Sequence, residues 1–238
     1  MTNSSNFTFC HKTPLNELYI QSFIEELDVN LVNADYSKCS KDCLYGCKNY
    51  NMKYSCPPHS PSFNNFKLSY SSIVINCLRI NKFCLKQEYN SIRISNVVLK
   101  SIQKKAYNSI FRELSNKRFH YKILENGSCR LCKRCKLQEN VPCIYPNKMR
   151  PSLEATGVDV NDLIKKAFGF ELKWYKKGGF PDYQCVVGGI LTNEPEKIIN
   201  ELSNYYRINY CAKKDIEDID MSMVFETNKQ LKVPSLIV

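Results

Sequence analysis

Cys129-Arg-Leu-Cys132-Lys-Arg-Cys135-Lys-Leu-Gln-Glu-Asn-Val-Pro-Cys143-Ile-Tyr-Pro146-Asn-Lys-Met-Arg-Pro151 puts four thiols into fifteen positions. Two residues between successive cysteines let one loop circle a small inorganic core with each thiolate turned inward. Iron–sulfur proteins space their ligands this way, Cys-x2-Cys-x2-Cys with a more distant cysteine near proline. Here the last gap is seven residues and Pro146 follows Cys143 by three, so the match is to a chemistry rather than to one short ferredoxin run.

A second set lies upstream. Cys39, Cys43, Cys47 and Cys56 are separated by three, three and eight residues, and Cys56 is followed by Pro57 and Pro58. Both sets have three close cysteines and then a distant one beside proline, which prevents helix and holds the last ligand in extended backbone. Together they use eight of the 13 cysteines. Such clustering argues against buried cysteines that merely fill a core.

The rest of the composition bounds the answer. At 238 residues and 43% hydrophobic content the chain is long enough for a real core. It has no apolar run of eighteen residues, and its first ten residues lack a basic start and an apolar signal segment. The expectation is a cytoplasmic protein without membrane association, whose thiols are metal ligands or catalytic thiols rather than disulfides. A net charge of +11 raises nucleic-acid binding, but two four-iron clusters with their thiolates would remove about four units of it. Much of the excess also flanks the cysteines: Lys38, Lys41, Lys48 and Lys53 by the first set; Arg130, Lys133, Arg134, Lys136, Lys148 and Arg150 by the second. Cations there stabilise a reduced cluster and steer an acidic donor to it.

Along the chain, Thr13-Pro14 followed by Ile20, Phe23, Ile24 and Leu27 predicts a helix over 14–27, and residues 29–34 are mixed enough to be a strand. Residues 71–80 are apolar on both faces, which predicts an interior strand, with Cys77 and, just beyond it, Cys84 as core cysteines. Ile94, Val98, Ile102, Ala106, Ile110 and Leu114 recur every four residues and predict a long helix over 90–118. Tyr121 to Leu124 alternates as a strand, and Asn126-Gly127 turns into the second thiol loop. Asp159 caps a helix carrying Leu163, Ile164, Ala167 and Phe168, which Gly169 ends. Leu172 and Trp174, a turn at 177–182 and residues 183–191 predict a hairpin. Gly188 and Gly189 mark a bulge, a strand end or a close backbone approach. A last helix covers 195–206. The expected architecture is a single α+β domain over 1–212, ferredoxin-like or with a mixed sheet and packed helices, with cluster loops at 39–61 and 129–151 and a loosely held acidic tail over 213–238.

Ser55-Cys56-Pro57-Pro58, Gly127-Ser128-Cys129-Arg130-Leu131-Cys132 and Pro151-Ser152-Leu153-Glu154-Ala155-Thr156-Gly157-Val158-Asp159-Val160 resemble a widespread family of predicted metal-binding proteins of unknown function. The likeness extends from about residue 35 to 192. It implies metal binding and supports both cysteine sets as ligands, with one of Cys39, Cys43 and Cys47 as a possible spare.

Two decisions remain at this level. Structural zinc sites pair two Cys-x2-Cys knuckles across a longer gap, and neither set does so; the spacing favours two [4Fe-4S] clusters, with zinc as the alternative. Either distant cysteine, Cys56 or Cys143, can serve its own loop or the other. His59 reads as an exposed loop histidine, because the thiols already supply full sets. As to activity, the first expectation is electron transfer to a partner or a small-molecule substrate, with an acidic donor such as a ferredoxin or flavodoxin in an anaerobic setting. The second is an enzyme, a reductase or sulfur-handling one, with an open iron in the less regular first set. Nucleic-acid binding ranks last, since the cations gather beside the thiols rather than along one helix face.

Overall fold

The structure is a computed structural model that describes residues 4–12, 17–82, 92–115, 119–174 and 181–210. Five strands, β1 (Ser4–Lys12), β2 (Glu17–Asp28), β3 (Ser72–Asn81), β4 (Tyr121–Leu124) and β5 (Tyr183–Thr192), form one sheet in the order β1-β2-β3-β5-β4. Every adjacent pair is antiparallel. The helices are α1 (Tyr36–Gly46), α2 (Phe63–Phe66), α3 (Ile92–Ser115), α4 (Val160–Phe168) and α5 (Pro195–Tyr210). This is an α+β fold. Because β3 and β4 both pair antiparallel with β5, they run the same way with β5 between them, joined by α3: a split β-α-β unit of the ferredoxin-like kind.

The sheet is covered on both faces, and β3 shows why. Its even positions Val74, Leu78 and Ile80 pack with Leu99, Ile102, Ala106 and Ile110 of α3 and Ile198, Leu202 and Tyr206 of α5. Its odd positions Ile73, Ile75 and Cys77 pack with Phe63, Leu153, Val158, Leu163 and Ile164. A strand buried on both sides has no polar face to display, so it reads as a continuous apolar run. The glycines of β5 serve close approach: a Cβ on Gly188 would run into the Tyr107 ring, and one on Gly189 into Ile73.

Several expectations are corrected here. The helix expected over 14–27 is instead the strand β2 from Glu17 onward: Ile20 and Ile24 enter the α3/α5 core while Phe23 and Leu27 meet the other. Residues apolar on both faces of a strand can satisfy helical spacing by coincidence. β1 has no counterpart among the expected elements, since its run of Asn, Ser and Thr hides the inward Phe7 and Phe9. Residues 29–34 hold one 3₁₀ turn and a single bridge from Ala34 to Val158, not a strand. Leu172 and Trp174 form no strand, so there is no hairpin; β5 pairs with β3 and β4 instead. The expected turn at 177–180, Cys84 and the tail from 213 lie outside the described residues.

One polar strand of contacts crosses the first core. Gln103 Nε2 donates to the Asn76 carbonyl at 2.8 Å and to Asn76 Oδ1 at 2.9 Å, and the Tyr206 hydroxyl donates to the same Oδ1 at 3.2 Å. Asn126 Nδ2 in turn donates to Gln103 Oε1. Buried amides need such partners, and this chain of bonds fixes the turn from which the second thiol loop departs.

Candidate metal centre

The first thiol set is carried by a helix, not by the open loop its proline-bounded ending suggests. Cys39 and Cys43 stand one turn apart on α1, and Cys47 is its C-cap, donating its N–H to the Cys43 carbonyl at 3.0 Å. Intervals of four residues place side chains on one helix face, so the two Cys-x3-Cys steps were themselves the helical signal. α1 has no buried residue, and Leu44 and Tyr45 are exposed. A helix of this length is marginal in water without packing, so its ends matter. Asp35 caps it, accepting from Lys38 N at 2.9 Å, and Asp35 N donates to the Gly157 carbonyl at 2.8 Å. Gly157 has φ of 96°, and a Cβ there would lie 2.6 Å from Tyr36 N. That glycine therefore meets both a backbone and a steric requirement.

Cys56 is the buried member of the set. It sits in a run of turns with Ser55, Pro57 and Ser60, which are buried beside it. Ser60 Oγ donates to the Ala155 carbonyl at 2.6 Å, tying this run to the same 3₁₀ turn that α1 rests on. Burial pushes the Cys43 thiol up to about 11, and Cys47, Cys56 and Cys39 push the same way, so the four thiols share one neighbourhood. Burial also raises Cys39, helped by the carboxylates of Asp42, Asp35, Asp159 and Glu154. His59 is exposed, its Nε2 2.7 Å from Asn51 Oδ1.

The second set is built differently. None of residues 126–149 is buried, and apart from a 3₁₀ turn at Lys136–Glu139 the stretch has no regular helix or strand. Leu131, Val141, Ile144 and Tyr145 are exposed. Cys129, Cys132, Cys135 and Cys143 nevertheless line one cavity of about 240 Å³, together with Lys53, Tyr54, Ser55 and Leu131. The Cys132 thiol is raised by desolvation and then by Cys129, Cys143 and Cys135.

The two sets meet. The Cys129 N–H donates to Ser55 Oγ at 3.1 Å, and that hydroxyl lies 3.8 Å from Cys56 Sγ. Lys53 Nζ donates to Ser128 Oγ at 2.9 Å and to the Cys129 carbonyl at 3.3 Å. The Tyr54 hydroxyl donates to the Val141 carbonyl at 3.0 Å. Lys53 and Ser55 hold the loops together; a lysine and a serine beside a cysteine carry no signature that would single them out from sequence. Arg150, counted among the flanking cations, is buried and paired with Glu125 at 2.9 Å, with Asn108 Oδ1 at 2.8 Å. Its charge is compensated, so it belongs to the structural junction between β4 and the loop.

The donor chemistry fits a thiophilic metal, eight soft thiols in two adjoining groups. Among the described residues, no three His, Cys, Asp or Glu side chains converge closely enough to hold a single metal ion. The second-set thiols line one cavity. The remaining described cysteines belong to the sheet: Cys77 of β3 is fully buried beside Cys185 of β5, and Cys10 is in β1.

No described helix is long and apolar enough to cross a membrane. A family model described as predicted metal-binding protein (DUF2284) matches residues 27–191, a span that runs from the end of β2 through β5 and contains both thiol sets. No curated protein and no solved structure matches the chain.

Proposed function

The chain belongs to this family of predicted metal-binding proteins, and on that premise we propose that it is an iron–sulfur protein. In this reading Cys39, Cys43, Cys47 and Cys56 hold one [4Fe-4S] cluster, Cys129, Cys132, Cys135 and Cys143 hold a second, and the pair moves electrons from an acidic donor protein to a partner or small-molecule substrate. The observation that carries it is the second loop: none of residues 126–149 is fully buried, yet their four thiols line one cavity. A chain segment of that length does not stay ordered without burial or a ligand to offset its conformational entropy. A cluster supplies one-electron redox chemistry when bound. The protein's own part is to position the thiols, keep the two sets in contact through Ser55 and Lys53, and place cations around the second.

The test is elemental. Protein purified without oxygen is expected to be brown and to contain about eight irons and eight acid-labile sulfides per chain, as two four-iron clusters require. A colourless protein carrying zinc in place of iron overturns the redox reading while leaving the thiol assignment standing.

A further inference from the structure

A second cavity adjoins the thiols and nothing in the reading above uses it. A cleft of about 580 Å³ lies between α3 and the second loop, lined by Lys105, Asn108, Phe111, Arg112, Lys148 and Tyr205. Leu131 forms a wall of both this cleft and the thiol cavity, and Met149 joins the thiol cavity to a smaller cleft that shares Phe111, Lys148 and Arg150. The size is that of a small-molecule site. Its charge is one-sided: the lining includes Lys105, Arg112, Lys148 and Arg150 and no carboxylate. Arg150 is neutralised by Glu125 behind the wall. No described carboxylate pairs with Lys105, Arg112 or Lys148.

Two features argue for a small molecule rather than a flat polyanion surface. The cations surround an aromatic body, with Lys148 Nζ at 5.4 Å and the Arg150 guanidinium at 5.5 Å from the Phe111 ring centre, and Tyr205 stands on the lining. Lys105, Asn108 and Arg112 lie at i, i+3 and i+7 of α3, so one helix face presents an ammonium, an amide and a guanidinium fork together. Charged heads at the mouth and an aromatic floor match a ligand with an oxyanion at one end and a planar body at the other.

We propose that this cleft binds a small organic oxyanion, a carboxylate or phosphate ester with an aromatic or unsaturated body, placed one side chain from the second thiol set. The proposal deepens the redox reading by naming the substrate class of that site, and it rests on that reading only for its purpose, not for its binding chemistry.

The experiment is calorimetric titration of the full chain, with its metal content counted, against phenyl phosphate, benzoate, inorganic phosphate and a short single-stranded oligonucleotide at about 0.15 M salt. One equivalent of phenyl phosphate or benzoate is expected to bind, whichever is tighter telling phosphate from carboxylate, with inorganic phosphate at least tenfold weaker. Arg112→Gln and Lys148→Gln should each weaken the aromatic oxyanion about tenfold, and Phe111→Leu should erase its advantage over inorganic phosphate. Lys165→Gln, on the far face in α4, should change nothing. Because Lys105, Arg112 and Lys148 are exposed, their variants are not expected to unfold. Absence of binding by both organic probes, unchanged affinity in the two cation variants, or tighter binding of the oligonucleotide with steep salt dependence each overturns the proposal. Protein purified without oxygen that carries zinc in place of iron and still binds the probes would sink the redox reading alone.

Discussion

The two thiol segments solve one problem by opposite means. α1 is a preformed scaffold: capped by Asp35, seated on Gly157, with its distant partner Cys56 buried in a turn fixed to Ala155. Residues 126–149 contribute no buried residue; they are held at their ends by the Asn126–Gln103 bond and the Arg150–Glu125 pair, and between them by polar bonds from Lys53, Tyr54 and Ser55. Their surroundings differ as well, carboxylates beside Cys39 and cations such as Lys136 beside Cys132. The first set is therefore expected to keep its shape without a ligand and the second to depend on one.

Removing the metal is the widest break of that contrast. Amide exchange across 126–149 should accelerate about 10⁴-fold, α1 far less, and the amides of β3 not at all, because metal binding and local order are linked where no core exists. Uniform exchange across both segments would erase the distinction. Next in size, Arg150→Met leaves the Glu125 carboxylate buried and unpaired, and should cost about 3–5 kcal/mol by denaturant unfolding; a loss below about 1 kcal/mol would show that the junction is not held by charge. Gly157→Ala forces a Cβ into Tyr36 and a left-handed φ on alanine, costing about 1–3 kcal/mol. Its signature is selective: the first set should lose metal while the second retains its own. Smallest is Glu154→Gln. Glu154 pushes up the thiols of both Cys39 and Cys43, so on the iron–sulfur proposal removing its negative charge should raise the potential of the first centre more than that of the second in a redox titration. An equal shift in both centres would mean that they do not differ in surroundings.

How much of this was legible in the sequence follows from where the signal is local. β3, apolar on both faces, α3, with its period of four, and α4, between Asp159 and Gly169, carry their own evidence. The thiols were legible as two groups because cysteine is rare and spacing is chemistry. β2 was not, since Ile20, Phe23, Ile24 and Leu27 suit either a helix face or a strand with two buried sides, and only the partner layers decide. α1 was hidden by the expectation of a loop, although Cys39, Cys43 and Cys47 fall four apart. The contact between the sets was not readable at all: Lys53 with Ser128 and Ser55 with Cys129 are pairings across more than seventy residues. The basic cleft was half visible, as Lys105 and Arg112 on one helix stripe, but its other wall comes from the second loop.

Ser55 sits where the two thiol sets touch. Its oxygen receives the Cys129 amide and touches the Cys56 sulfur, so a single hydroxyl joins the two thiol sets. If those sets hold the proposed centres, whatever fills one fixes that oxygen, and with it one corner of the other. Filling one set should then favour filling the other, and Ser55→Ala should weaken that linkage.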